Sequence, residues 1–411
     1  MKRIILHVGR HKSGTTSLQA SFWENRDLLA TKGILYPESS RRENAHHLFA
    51  EALHPRRIRE VGLDEIDNEE AIQNLISEIE STTCETILIS SEAFQNCNPY
   101  DIKNIFKNYK VLIVSYLREQ VGYLESAYLQ EVQATNYSET IEKFEKERFY
   151  VDYYKFYKSW EREFGTENVV IRLFDKEKLK NADVVDDFFE TVISPLTNEK
   201  FQYRKPQYDG FLRNSSLKGV YIPFKLRLNT TIENHRPCLY QTLGILSDEL
   251  SDSTTIVSEY LKYKVNDDYR ESNFNLSNEL NLDFEFFFNR SIKKYFNSYY
   301  NMLPSDFLRL LRQLIARDER CSYLISELYS YDLIEENEHY KFIFSDNILI
   351  DSLKNIFIVT SKHTTRLFSE LEKNDGSFRI RKGIFNPDID FLSLFFENEL
   401  NLAPQRLIKR A

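Results

Sequence analysis

The chain has 411 residues, and chains of this length usually form more than one hydrophobic core, so we expect two structural units. Its net charge of −9 argues against a general nucleic-acid binder, and any anion site must come from a local concentration of positive groups. The four cysteines form no CxxC pattern and accompany no histidine cluster. This spacing excludes a zinc site or disulfide framework of the usual kinds and fits a reducing compartment.

The N-terminal apolar run, Met1–Arg10, is too short for a signal peptide. No apolar stretch reaches the ~18 residues that a membrane-spanning helix needs. The chain is therefore expected to be cytoplasmic, with no transmembrane segment and no nucleic-acid partner.

Predicted strands and helices alternate through the first half of the chain. In chain order they are strand Lys2–Val8, helix Thr15–Leu29, strand Gly33–Tyr36, helices Asn44–Leu53 and Glu69–Ile79, strands Thr86–Ser90 and Val111–Leu117, helix Gln120–Gln133 and strand Val169–Leu173. The nearly continuous apolar strands are typical of a sheet covered on both faces. The alternation predicts an α/β fold, a P-loop-type three-layer sandwich with a central parallel sheet.

The pattern changes after Pro195. Residues 196–300 are rich in Asn, Tyr and Phe and predict helices without alternating strands. Residues 301–411 predict a mainly helical C-terminal region, with helices at Phe307–Ile315, Tyr323–Tyr331, Asp351–Val359 and Thr364–Leu371. We expect one domain over 1–300, with its core at about 1–195, followed by the C-terminal region 301–411.

The strongest motif is the loop Gly9–Ser17, between a predicted strand and a predicted helix. Backbone amides of such a loop converge on a phosphate, and the helix N-terminus adds partial positive charge. Glycines at positions 9 and 14 permit the close approach that this arrangement needs. The residues predicted to bind the anion are Arg10, His11, Lys12, Ser13, Gly14, Thr15, Thr16 and Ser17.

A nucleoside triphosphatase loop would carry lysine directly after the second glycine. Here that position is Thr15, and Lys12 stands two places before Gly14. A P-loop nucleotide kinase or triphosphatase nevertheless stays as an alternative, although it would need a metal-binding carboxylate at a strand end, where only Glu92 is found. The glycines could also serve the turn alone.

The segment His7–Gln19 resembles the 5'-phosphosulfate-binding loop of sulfotransferases that use 3'-phosphoadenosine 5'-phosphosulfate (PAPS). It is most similar to the bacterial branch related to carbohydrate and polysaccharide sulfotransferases. The resemblance implies that the loop holds the phosphosulfate and that Lys12 contacts the oxygen bridging phosphorus and sulfur. PAPS would then be the donor co-substrate, and no metal is expected.

A second segment, Tyr116–Tyr128, is similar to the 3'-phosphate-binding motif of the same family. It implies that Arg118 and Ser126 hold the 3'-phosphate. An arginine fork with a hydroxyl suits a phosphate dianion, whereas an isolated arginine after a strand is usually a capping or ion-paired residue. Looser likenesses at Arg213–Leu217 and Phe288–Ser291 extend the resemblance to about residue 300.

Transfer of a sulfo group to a hydroxyl requires a base that removes the hydroxyl proton. The family resemblance points to the pair His46 and His47, which precede a predicted apolar helix. Successive helical residues diverge by about 100°, so at most one faces the donor, and we favour His47 with His46 as second choice. Glu92, at the end of a strand, could orient the acceptor, pair with His47 or be the base itself.

The sequence thus predicts a PAPS-dependent sulfotransferase that acts on a hydroxyl acceptor, which the resemblance suggests is a saccharide. Residues 196–300 should supply much of the acceptor cleft. Two alternatives stay open, the nucleotide kinase or triphosphatase and a non-catalytic scaffold that binds adenosine bisphosphate.

Overall fold

The structure is a computed structural model of the whole chain. It describes residues 1–10, 12–54, 68–197, 202–205, 216–232, 236–250, 254–288, 295, 302–328, 331–335, 339–344, 356–359, 364–366, 371–372, 377–381, 391–394 and 405–406. The chain divides into two compact units. The first comprises Met1–Ala127, Glu145–Tyr208 and Val257–Ile292, and the second comprises Tyr128–Phe144, Asp209–Ile256 and Lys293–Ala411.

A five-stranded sheet forms the centre of the first unit, with the strand order β2-β3-β1-β4-β5 and every neighbouring pair parallel. The strands are β1 (Arg3–Val8), β2 (Ile34–Leu35), β3 (Thr86–Ser91), β4 (Lys110–Leu117) and β5 (Val169–Leu173). Each predicted strand of this part of the chain is present, and the last has the predicted bounds. The α/β fold with a central parallel sheet is confirmed.

Helices follow or precede each of these strands, and they include more than the four that the sequence predicted. They are α1 (Thr15–Glu24), α2 (Arg26–Thr31), α3 (His47–Ala52), α4 (Asn68–Ser81), α5 (Pro99–Ile105), α6 (Gln120–Ala134), α7 (Ile141–Arg148), α8 (Tyr153–Phe164), α9 (Val184–Phe188) and α10 (Ser194–Thr197). Short 3-10 turns lie at Glu92–Asn96, Thr166–Asn168 and Lys180–Ala182, and a π-helical turn at Phe189–Ile193.

The predicted helix Thr15–Leu29 is divided at Asn25, whose φ of −102° and ψ of 11° lie outside the helical range and whose side chain bonds to two backbone groups. Its Nδ2 donates to the Ser21 carbonyl at 2.8 Å, and its Oδ1 accepts from the Arg204 amide at 2.7 Å. Asparagine commonly competes with helical hydrogen bonds in this way.

Both faces of the sheet are covered. On one face, Ile5 of β1 and Val114 of β4 pack against Leu18 and Phe22 of α1, within a cluster that also includes Phe188 of α9. On the other face, α8 contacts β4 and β5. Residues 4–6 and 8 of β1 have apolar side chains that are fully buried. The strand that leads into the predicted anion loop is therefore packed on both faces.

A buried carboxylate ties α9 to the sheet. Asp187 is completely buried and accepts hydrogen bonds from the Arg172 guanidinium of β5 and from the Tyr116 hydroxyl of β4, the latter at 2.8 Å. It also accepts from the Lys180 amide at 3.0 Å. Since the charge is both paired and hydrogen bonded, its desolvation is offset within the fold.

The remaining helices include two that belong to the first unit, α13 (Glu259–Asp268) and α14 (Arg270–Leu280), with a 3-10 turn at Phe284–Phe287. Those of the second unit are α11 (Tyr221–Thr231), α12 (Pro237–Asp248), α15 (Pro304–Arg317) and α16 (Tyr323–Leu328), with a 3-10 turn at Glu319–Ser322. Helices α15 and α16 confirm two of the predictions for residues 301–411. None of the helices that the structure describes combines the length and apolar character required to cross a membrane.

The helices predicted at Asp351–Val359 and Thr364–Leu371 are wrong. From Tyr331 onward, the described residues form only strands, which are β6 (Tyr331–Glu335), β7 (His339–Phe344), β8 (Ile356–Val359), β9 (Thr364–Arg366), β10 (Leu371–Glu372), β11 (Ser377–Arg381), β12 (Phe391–Leu394) and β13 (Gln405–Arg406). They pair in two antiparallel sheets of order β10-β11-β7-β6 and β13-β12-β8-β9. Short runs of β-branched and aromatic residues fit both the two-residue period of a strand and the 3.6-residue period of a helix. Pairing with other strands determines which structure forms here. The expected domain division at residue 300 stays a prediction.

Replacing Asp187 by alanine should destabilise the protein by ~3 kcal/mol, because the Arg172 guanidinium loses its buried partner. This is the lower end of the usual cost, since the Arg172 side chain is still partly exposed. The free energy of unfolding, measured with urea, checks it. The control Lys178→Ala removes an exposed ion pair with Asp283 and should leave stability nearly unchanged. Equal effects of the two substitutions would contradict the role of Asp187.

Candidate anion-binding site

The carboxyl ends of three adjacent strands meet at one edge of the sheet. The loop Gly9–Gly14 follows β1, Ser91 ends β3 and Glu92 follows it, and Arg118 follows β4. From β1, the sheet extends to β3 and β2 on one side and to β4 and β5 on the other, so the strand order reverses its direction at β1. In open parallel sheets, ligands bind at such a reversal of strand order.

The loop after β1 is tightly closed. The Gly9 amide donates to the Ser91 carbonyl at 3.2 Å, and both the amide and the hydroxyl of Ser13 donate to the Arg10 carbonyl, at 3.3 and 2.7 Å. A Cβ at Gly9 would lie 2.4 Å from Thr15 Cγ2, and one at Gly14 would lie 2.8 Å from Phe174 Cε2. Gly14 also has a φ of 80°, so both glycines are required by geometry.

The N-terminus of α1 opens towards this loop. Its N-cap is Gly14, no side chain caps it, and its first turn contains no acidic residue. The first amides of a helix lack intrahelical acceptors and attract anions, and neither a capping side chain nor a carboxylate competes for them here.

Seven of the eight predicted loop residues belong to the loop or the first turn of α1, whereas His11 lies outside the described residues. Thr15 is buried, Ser17 is half-buried and Thr16 is exposed. Ser13 is fully buried and its hydroxyl bonds to the Arg10 carbonyl, so it closes the loop. The predicted residues are thus brought together, but they play different parts within the loop.

Lys12 is half-buried and its backbone has a φ of 64°. Burial and, to a lesser extent, the nearby positive charge of Arg118 lower the pKa of its ammonium to about 8, while the Glu92 carboxylate acts in the opposite direction. A positive charge that is partly desolvated and close to another is poised to bind an anion, since the anion would relieve both costs.

The second predicted anchor lies against this loop. Arg118 Nη1 donates to Ser126 Oγ at 2.9 Å and to the Lys12 carbonyl at 3.4 Å. Ser126 is buried, and the Arg118 carbonyl accepts from the Tyr153 hydroxyl. The turn from β4 into α6 therefore brings Arg118 and Ser126 together, although they are eight residues apart in sequence.

The two histidines occupy different environments. His46 is fully buried, its Nδ1 accepts from the Ser90 amide and its Nε2 donates to the Pro37 carbonyl, both at 3.2 Å. Burial, with a smaller contribution from the positive charge of Arg41, lowers the pKa of His46 to about 3. Because backbone groups occupy both ring nitrogens, His46 is held as a neutral ring inside the protein.

His47, at the first position of α3, keeps partial exposure. Its Nδ1 lies 2.8 Å from Ser91 Oγ, and its Nε2 lies 3.9 Å from Glu92 Oε2. Glu92 Oε2 also accepts from Gln19 Nε2 at 2.9 Å. The Ser91 hydroxyl and Gln19 are residues that sequence reasoning missed. Ser91 could have been found as the last residue of the apolar strand run, whereas nothing in the sequence singles out Gln19.

Comparison with known proteins gives weak likenesses. No protein-family model matches the chain. An uncharacterized protein of Archaeoglobus fulgidus is 34% identical over 109 residues, which are 26% of this chain and 30% of that protein. The chain thus matches less than a third of the length of this curated relative.

Two solved structures are similar in part. A sulfotransferase from Alicyclobacillus acidocaldarius matches with a TM-score of 0.37 and 14% identity, over 69% of this chain and 97% of that chain. Retinol dehydratase in complex with androsterone and the inactive cofactor PAP matches with a TM-score of 0.25 and 11% identity, over 48% of this chain and 60% of that chain. At these TM-scores, the activities of the two proteins say nothing firm about this one.

Binding of adenosine 3',5'-bisphosphate should weaken as the pH rises through about 8, because Lys12 loses the proton that attracts the anion. A single titrating group changes affinity by at most about tenfold per pH unit. Calorimetric titration from pH 7 to 10 measures this. In the control Lys12→Met, affinity should be lower at pH 7 and nearly flat with pH. A wild-type affinity that does not vary with pH would contradict the role of Lys12.

Proposed function

We propose that the chain is a PAPS-dependent sulfotransferase that moves a sulfo group to a hydroxyl of a saccharide. The observation that carries the proposal is the contact of Arg118 with both Ser126 Oγ and the Lys12 carbonyl. It joins two anion anchors from two different loops. A nucleotide with phosphate groups at both its 5' and 3' positions would use both anchors, whereas a nucleoside triphosphate has all its phosphates at one end.

The position of the lysine supports the same donor. Lys12 precedes Gly14, and its ammonium is close enough to Arg118 and Glu92 for their charges to alter its pKa. An ammonium there would stabilise negative charge that develops on the bridging oxygen as the sulfur–oxygen bond breaks. The amides of α1 would hold the 5'-phosphate.

The proposed reaction is an in-line displacement at sulfur. The acceptor oxygen forms a bond to sulfur, the bond from sulfur to the bridging oxygen breaks, and adenosine 3',5'-bisphosphate leaves with the electron pair. The acceptor hydroxyl gives up its proton to a base on the protein. The products are a sulfate ester and the bisphosphate, so that atoms and charges balance.

We propose His47 as this base and not His46. A proton on His47 Nδ1 can be donated to Ser91 Oγ, which leaves the lone pair of Nε2 to accept the proton of the hydroxyl. The resulting imidazolium would lie beside the Glu92 carboxylate, whose charge favours it. Glu92 itself is held by Gln19, which suits an orienting or stabilising role.

The saccharide acceptor rests on the resemblance of His7–Gln19 to the polysaccharide-modifying branch. A screen of saccharides, phenols and sterols with PAPS labelled in the sulfo group would test it. Label should enter a saccharide. Transfer only to phenols or sterols would overturn the acceptor class and leave the donor assignment intact.

The donor site is tested by titration with adenosine 3',5'-bisphosphate, adenosine 5'-phosphate and ATP. The bisphosphate should bind most tightly, and without added magnesium. Arg118→Ala should cost about 1.5–3 kcal/mol of bisphosphate affinity, the usual value for a charged hydrogen bond, and Ser126→Ala about 0.5–1.5 kcal/mol. Adenosine 5'-phosphate is the control, since it lacks the group that these residues hold. Magnesium-dependent preference for ATP would sink the proposal in favour of a nucleotide kinase or triphosphatase.

His47→Gln should remove most sulfo transfer and leave bisphosphate affinity unchanged, because the base contacts the acceptor and not the nucleotide. A positioned base typically contributes about 10²–10⁴-fold in rate. Glu92→Gln should reduce the rate less. The matched control His54→Gln changes a histidine just beyond the end of α3 and should have little effect. An active His47→Gln with an inactive Glu92→Gln would exchange the two roles.

A further inference from the structure

The side chain of Arg10 is enclosed by aromatic rings behind the anion loop. Only 8% of Arg10 is exposed. Its guanidinium carbon lies 4.9 Å from the ring centre of Phe156, 5.2 Å from that of Tyr153 and 5.8 Å from that of Tyr123. Tyr123 belongs to α6, and the other two belong to α8. We call these three rings the aromatic box.

The guanidinium has no acceptor within the part of the chain that the structure describes. Its Nε is buried without a hydrogen-bond partner, and no carboxylate there pairs with it. A buried charge is normally paired, because its desolvation otherwise costs several kcal/mol. The ring faces attract the cation but accept none of its five N–H groups, which point outward in the plane of the guanidinium. Nε is fully enclosed, so the donors left for an anion are those of Nη1 and Nη2.

We propose that Tyr123, Tyr153 and Phe156 are positioning residues, which hold the guanidinium of Arg10 so that its N–H groups bind a phosphate or sulfo oxygen of the donor nucleotide. The inference rests on the proposed nucleotide site. It assigns a role to three residues that are not among the site residues predicted from the sequence. It also explains why a cation in this position needs no carboxylate, which would compete with the nucleotide for it.

The box is joined to both anchors of the site. The Arg10 carbonyl accepts from the amide and the hydroxyl of Ser13, so the residue that enters the box also closes the loop. The Tyr153 hydroxyl donates to the Arg118 carbonyl. A change in the box is therefore expected to alter anion affinity without any ring touching the anion.

A double-mutant cycle on adenosine 3',5'-bisphosphate binding tests the proposal. Arg10→Met removes the charge and keeps the length, and it should weaken binding about 10- to 100-fold, as for a lost charged hydrogen bond. Phe156→Leu should weaken binding about 2- to 30-fold, the range of a buried cation–π contact. In the Arg10→Met background, Phe156→Leu should have almost no further effect, because the ring acts through Arg10.

The control Phe164→Leu makes the same change on the same helix at a ring that contacts Trp160, and it should leave affinity unchanged. Circular dichroism and thermal unfolding establish that each variant is folded. If Phe156→Leu does not fold, Tyr123→Leu on the other helix takes its place in the cycle. Additive losses from Arg10→Met and the ring variant would overturn the proposal, since they mean that the ring does not act through Arg10.

Single-phosphate ligands locate the oxyanion. A loss of affinity for adenosine 5'-phosphate alone places Arg10 at the 5' end of the nucleotide. A loss of affinity for adenosine 3'-phosphate alone places it at the 3' end. Either result supports the proposal. Equal losses with unphosphorylated adenosine would overturn it, since the box would then contact the nucleoside. If the wild-type protein binds none of these ligands, the proposed function fails. If it binds them and every box variant matches it, only this inference fails.

Discussion

The close approach of the loop after β1 to the end of β3 is the constraint on which the site depends. A side chain at Gly9 would collide with Thr15 and approach the backbone of Glu92, so only glycine lets the loop turn there. The same approach allows the Gly9 amide to bond to the Ser91 carbonyl. The loop, the start of α1 and the polar end of β3 are thereby fixed together, with Arg118 joining them from β4.

The pleat of β3 directs its last two serine hydroxyls to different histidines, Ser90 to His7 and Ser91 to His47. Successive residues of a strand face opposite sides of a sheet. The Ser90 hydroxyl faces His7 in the core at 2.8 Å, and the Ser91 hydroxyl faces His47 at the same distance. His46 instead bonds to the backbone of Ser90 through its own amide and its ring. Two adjacent strand positions thus contact one buried histidine, His7, and one accessible histidine, His47.

Sequence patterns could predict the parallel sheet because its strands are short, apolar and separated by helices. They could also predict that the loop and Arg118 lie at one edge, since carboxyl ends of parallel strands meet there. They could not divide the first helix at Asn25, which depends on the distant Arg204 amide. Nor could they find the strands Ile356–Val359 and Thr364–Arg366, whose short runs fit either period until their partners are known. The different surroundings of His46 and His47, and the contacts of Ser91 with His47 and of Gln19 with Glu92, likewise depend on residues far apart in the chain.

Positive charge is concentrated at the loop although the chain as a whole is negative. Arg118 is held there by the Ser126 hydroxyl and the Lys12 carbonyl, and Arg10 by aromatic rings. The Lys12 ammonium lies near Arg118 and the Glu92 carboxylate. This arrangement favours a ligand with several negative groups. Folding removes part of the water that stabilises the cations, and each negative group would stabilise them in its place.

The uncapped N-terminus of α1 has a consequence for the protein without its ligand. Its amides, the desolvated ammonium of Lys12 and the enclosed guanidinium of Arg10 all make the empty fold less stable than its core alone would allow. Functional sites commonly carry such a cost. A bound anion repays it, so folding is linked to occupancy of the site. Inside a cell, the steady-state level of a protein built in this way would then follow the supply of the anion that it binds, since the form without the anion opens more often to proteases.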